Sequence, residues 1–184
     1  MPLPAPPLPA PIEALWNDLQ SVRARVLKEI EGLSQAQADW RTSDTDWSVG
    51  EIVHHLTLAE VGTGKVTSKV LKDAGEAVKP FPADLKGFTP LVTPSGGRAE
   101  APQGVWPARG RPFAELLAEM KAARERSRQS IERVGGVDPR PLIFSHPRLG
   151  ALDLAQWWML QAWHDGVHVE QLRGVKAAPG FPSA

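Results

Sequence analysis

The sequence predicts an all-α protein folded as a four-helix bundle. Two observations carry this. Four segments of about 20 residues place apolar side chains at steps of three and four, which is the spacing of one helix face. No stretch of useful length alternates apolar and polar residues, so no strand is expected. The 184 residues suffice for one well-packed domain, and no convincing internal repeat interrupts it.

The first helix is expected from about Pro11 to Gly32, with Ile12, Leu15, Leu19, Val22, Val26 and Ile30 inward. Pro11 suits a first turn and Gly32 suits the stop. The second starts at Ser48, because Ser48-Val49-Gly50-Glu51 has the form of a capping box. It runs through Ile52, His55, Leu56, Ala59, Val66 and Val70 to about Val78, where Lys79-Pro80 ends it. Gly62 and Gly64 weaken its middle. The third runs from about Pro112 to Val134, with Phe113, Leu116, Leu117, Met120, Ile131 and Val134 inward, and Gly135-Gly136 stops it. The fourth runs from about Leu152 to Arg173, with Asp153 as a cap or first-turn acid. Phe144 to Gly150 reads as an irregular connection. The bundle is assigned to residues 11–174, between a Pro-rich lead (1–10) and a tail (175–184). The Pro- and Gly-rich stretch from Pro80 to Pro112 is long for a loop inside one domain, so it either crosses over between two parallel helices or walls a pocket.

Composition narrows the function. Formal net charge is zero, which gives no bulk attraction to nucleic acid. The basic run from Lys121 to Arg133 is interleaved with Glu125 and Glu132 and reads as a solvated helix face. There is no cysteine, so disulfides, thiolate metal sites and a cysteine nucleophile are excluded. There is no tyrosine, which removes phenolic acid catalysis. No apolar run reaches membrane-spanning length, and the N-terminal prolines do not make a signal peptide, so a cytoplasmic location is expected.

Five histidines hold the most information. His164 and His168 lie four apart, one turn above the other, on the same stripe as Leu154, Trp157, Gln161 and Leu172. His55 is in line with Ile52 and Ala59 on the inward side of the second helix. Inward imidazoles need a partner, and two or three on facing helices can grip one metal ion. The pair is not a zincin motif, because Asp165 stands where that motif needs Glu. Three imidazoles leave room for water or substrate, and they suit Zn, Ni, Cu and Fe alike. Glu51, Glu60 and Asp165 are candidates to orient the ligands, or else surface carboxylates. His54 is expected to face out or line a cleft edge. The residues alone also allow that the histidines are polar core groups without a metal.

Three patches resemble the DinB-like superfamily of metal-binding four-helix bundles, with its DinB and YfiT-type branches. They are Trp47-Ser48-Val49-Gly50-Glu51-Ile52-Val53-His54-His55-Leu56, then His146-Pro147-Arg148-Leu149-Gly150, then His164 and His168 followed by Gln171-Leu172. The resemblance implies an up-down-down-up bundle with a long crossover between helices two and three. It implies a divalent metal, often nickel or zinc, on His55, His164 and His168, and frequent homodimers. It further implies a metal-dependent enzyme acting with a low-molecular-weight thiol, as an S-transferase or a maleylpyruvate isomerase does. A small-molecule substrate or thiol is then the expected partner, with no nucleic acid and no membrane. His146 is a candidate proton carrier at the mouth, and Arg98, Arg109 and Arg111 are candidates to meet an anionic cofactor. Two other readings stand beside this one. One is a metal-binding or stress-response module without catalysis, and the other is metal-assisted hydrolysis.

Overall fold

A computed structural model describes residues 7–93 and 101–183. Its long helices are α1 (Ala10–Ile30), α3 (Val49–Ala74), α4 (Phe113–Gly135) and α5 (Leu154–Ala177), with a short α2 (Gln35–Asp39) between the first two. The four long helices form a mostly helical bundle, as the periodicity predicts. The Ser48 capping box forms as expected: Glu51 N–H donates to Ser48 Oγ, and Ser48 N–H donates to Glu51 Oε2. Two further boxes start α2 at Ser34 with Gln37 and α5 at Asp153 with Gln156. Each satisfies two amides that a helix N-terminus otherwise leaves free.

One connection differs from expectation. The connection before α5 is not irregular but a small antiparallel hairpin, β1 (Ile143–His146) with β2 (Gly150–Asp153). Its three-residue loop closes through Gly150 at φ +72°, a conformation glycine adopts without a steric penalty. Trp157 Nε1–H donates to Phe144 O and ties the hairpin to α5. The hairpin lacks a full apolar–polar alternation, and four-residue strands are too short for periodicity to reveal.

The core has two apolar clusters. One holds Val26 and Ile30 of α1, Val49 to Leu56 of α3, Phe113 to Met120 of α4, and Val169 to Val175 of α5. The other holds Ile12 to Leu19, Val70, Ile131 with Val134, and Leu154 with Trp158. Gly50 permits the first to close, since a Cβ there would sit 3.2 Å from Ala38 O.

Between the clusters each long helix contributes one buried charge. Arg23 Nη2 lies 2.8 Å from Glu60 Oε2 and 2.8 Å from Asp165 Oδ2. Arg124 Nη2 lies 3.3 Å from Asp165 Oδ2, and its Nη1 donates to Leu19 O. Arg124 Nε is 2.8 Å from Glu60 Oε1, but off line for a hydrogen bond. Glu60 and Asp165 are therefore not surface carboxylates. They are 1% and 0% exposed, and the two guanidiniums balance them.

Candidate metal centre

His55 comes from α3, and His164 and His168 come from successive turns of α5. The structure brings all three together, with one ligand atom from each inside a 4.8 Å span. His164 Nε2 lies 3.0 Å from His55 Nε2 and 3.1 Å from His168 Nε2. Two nitrogens at about 2.0–2.1 Å from a shared ion are necessarily within about 4.2 Å of each other, and both separations satisfy this.

The hydrogen bonds behind the rings decide which nitrogen carries the proton. His55 Nδ1–H donates to Val105 O at 2.7 Å, and His168 Nδ1–H donates to Gln171 Oε1 at 2.6 Å. Both neutral rings therefore turn an Nε2 lone pair toward His164. His164 Nδ1 is buried and has no partner among the described residues. One proton on His164 Nε2 can serve only one of the two facing lone pairs. A cation at the meeting point serves all three rings, so this donor set fits a divalent transition metal.

Electrostatics keep the rings in the ligand form. Burial lowers the pKa of all three. His168 falls to about 4, through burial first and His55 second. His164 falls well below the ordinary imidazole value, through burial and then its two neighbours. For His55, burial outweighs the opposing hydrogen bond to Val105. Neutral imidazole is the species that binds metal.

The three histidines open on a cavity of about 1080 Å³. Trp47 covers them, with its ring 4.7 Å from His55 and stacked at 6.4 Å over His168. Trp106 packs edge-on against Trp47 at 5.7 Å. Val105 and Trp106 belong to the stretch between α3 and α4, so that stretch does wall the pocket. His146, Arg148 and Leu149 on the hairpin and Trp157 on α5 form another wall.

Several sequence expectations need correction. His54 does not face out: it is 9% exposed, and its Nδ1 accepts from Ala108 N–H at 2.9 Å. The adjacent histidines thus pin both ends of the 105–108 segment. Glu51, Glu60 and Asp165 do not orient the ligands. Glu51 serves the α3 cap and Arg41, the other two serve the buried charge layer, and Val105 and Gln171 hold the imidazoles. Arg109 is taken by Asp44 O and Glu51, and Arg111 by Glu119 and Glu115, so neither is free for an anion. Arg98 lies outside the described residues. Trp47 and Gln171 were legible only as parts of the motifs. Gln171 has a physical signal, since a residue three beyond His168 on a helix can reach back to it.

The model of the DinB superfamily matches residues 18–172. The chain belongs to the DinB superfamily. It is also similar to YuaE, an uncharacterised protein of Bacillus subtilis (strain 168), with 22% identity over 158 residues that cover 84% of this chain and 92% of that one. Among solved structures it is similar to TT2238, a four-helix bundle protein, at a TM-score of 0.62 and 18% identity, over 89% of this chain and 98% of the other. That likeness establishes the fold. No helix among the described residues is long and apolar enough to cross a membrane.

Proposed function

We propose that this DinB-superfamily chain is a divalent-metal-dependent enzyme that transfers a low-molecular-weight thiol to an electrophile, with His55, His164 and His168 as the metal ligands. One observation carries the reading: the triad is open. No other His, Asp or Glu joins it among the described residues, and a cavity of ligand size lies beside it. A structural site closes itself with a fourth protein ligand. When bound, a divalent ion supplies Lewis acidity, which favours the thiolate form of a sulfhydryl at the cavity floor. The chain's own residues do the remainder. Val105 O and Gln171 Oε1 hold two imidazoles in register. Trp47 packs against His55 and His168, and Trp106 packs edge-on against Trp47. With no cysteine in the chain, the reacting sulfur comes from outside. Zinc and nickel are the candidate ions.

The same reading includes an up-down-down-up chain order. The core contacts support it: α1 and α5 enter at the second cluster and leave at the first, and α3 and α4 do the reverse. Gly50 near Leu116 and Gly64 near Ser130 put α3 and α4 side by side in the same sense.

The test is turnover by zinc- or nickel-loaded protein of glutathione, cysteine and bacillithiol with 1-chloro-2,4-dinitrobenzene. Thiol-dependent product formation that disappears in His168→Ala is expected. Fully metallated protein with no thiol-dependent turnover overturns the proposal. Thiol-independent cleavage of p-nitrophenyl acetate under the same conditions points to hydrolysis instead.

A further inference from the structure

The cavity has a second group of polar side chains, on the β1–β2 hairpin. Of the described residues that line the cavity, Arg148 is the only lysine or arginine. Three other arginines among the described residues are paired: Arg41 with Glu51, Arg109 with Asp44 O and Glu51, and Arg111 with Glu119. The Arg148 guanidinium has no hydrogen-bond or carboxylate partner among the described residues.

Beside it stands His146, whose role the hairpin loop fixes. Its Nδ1 accepts from the backbone N–H of both Arg148 and Leu149, each at 3.2 Å. The proton of the neutral ring is therefore on Nε2, which has no partner among the described residues and is left as a donor. The ring rests against Trp157 at 5.3 Å, and Trp157 is itself tied to Phe144 O. Donor and guanidinium are thus two residues apart on one short loop. The fold anchors that loop to α5 through a tryptophan and to itself through a left-handed Gly150. Donors without acceptors, grouped on one wall, are what an anionic oxygen group needs.

We propose that His146 Nε2–H and the Arg148 guanidinium form an anion subsite, which seats a carboxylate or phosphate of the molecule whose reacting end lies at the histidine triad. The proposal rests on the reading of the cavity as a substrate site and specifies its class: the ligand is an anion and not a neutral apolar electrophile. Arg148 supplies charge and a two-pronged contact, and His146 fixes its direction. Both are binding residues. Neither belongs to the histidine triad.

The test is direct binding to zinc-loaded full-length protein, followed by calorimetry and by tryptophan fluorescence. The probes are glutathione, its diethyl ester, S-methylglutathione and inorganic phosphate. The variants are Arg148→Ala, Arg148→Lys and His146→Gln, each checked for an unchanged helical spectrum and zinc content. Glutathione is expected to bind about tenfold more tightly than its diester, a preference that Arg148→Ala abolishes and Arg148→Lys partly restores. His146→Gln, which keeps a donor, retains more of the preference than Arg148→Ala. Competition by millimolar phosphate assigns the subsite to phosphate as well as carboxylate, and its absence assigns it to carboxylate. S-methylglutathione that still prefers wild type over Arg148→Ala supports the subsite even if the thiol reading fails. Equal binding of acid and diester, a preference that survives in Arg148→Ala, or no binding of any probe overturns it.

Discussion

Replacing Arg23 by Met breaks the buried charge layer at its centre. The guanidinium is 4% exposed and holds both carboxylates at 2.8 Å. Burial disfavours its charged form, but Asp165 and Glu60 outweigh this and raise its pKa. Its loss leaves two buried carboxylates to share Arg124, one of them at 3.3 Å. Unpairing a buried ion costs about 3–5 kcal/mol, a large part of the ~5–15 kcal/mol that holds a domain together. Glu60→Met should cost a similar amount, because it leaves two guanidiniums facing Asp165 alone. The double variant restores neutrality, with Arg124 and Asp165 left as a pair and Gln161 still donating to Asp165 Oδ1. It should therefore be more stable than the sum of the single losses by about 1–3 kcal/mol. Urea unfolding of the four proteins at pH 7 and equal zinc loading measures this, and an unchanged m-value keeps the comparison valid. A single-variant cost under about 1 kcal/mol, or strict additivity, would refute the reasoning that these charges are dry and mutually dependent.

Two other outcomes follow from the site. In chelator-treated protein, stability should fall as pH drops from about 6.5 toward 4. His168 titrates near 4 when folded and near its ordinary value when unfolded, so the unfolded chain takes up protons first and gains over that window. His55 and His164 shift the same way. A urea midpoint that is flat or rising from pH 7 to pH 5 would contradict this. Gln171→Leu removes the acceptor that sets the His168 tautomer, and should weaken zinc binding by about 10–100-fold in chelator competition without loss of helix content. Unchanged affinity would mean that Gln171 does not orient the ligand.

The bundle was legible because its signals are local and repeated. Apolar spacing over α1, α3, α4 and α5 and the Ser48 box depend on neighbours a few residues apart. The triad was legible for the same reason: the His164–His168 interval is a single helical turn, and His55 shares a stripe with Ile52. The charge layer was not. Glu60 and Asp165 look like ordinary surface acids in sequence, and only the meeting of four helices at one level shows Arg23 and Arg124 between them. The orienting group Val105 O was likewise unreadable, since a backbone carbonyl carries no side-chain signature. The hairpin was too short for its pattern to register. Arg148 stands in the His146–Gly150 motif, but its lack of a partner among the described residues is visible only in the fold, where Arg109 and Arg111 are occupied.

The central claim is a single divalent ion held by His55, His164 and His168. Its most direct test is equilibrium titration of chelator-stripped protein, carrying no affinity tag, with zinc and with nickel, alongside His55→Ala, His164→Ala and His168→Ala. The account predicts one ion per chain in the parent, and loss of that binding in each variant. A parent that binds neither ion, or variants that keep full stoichiometry and affinity, would contradict it.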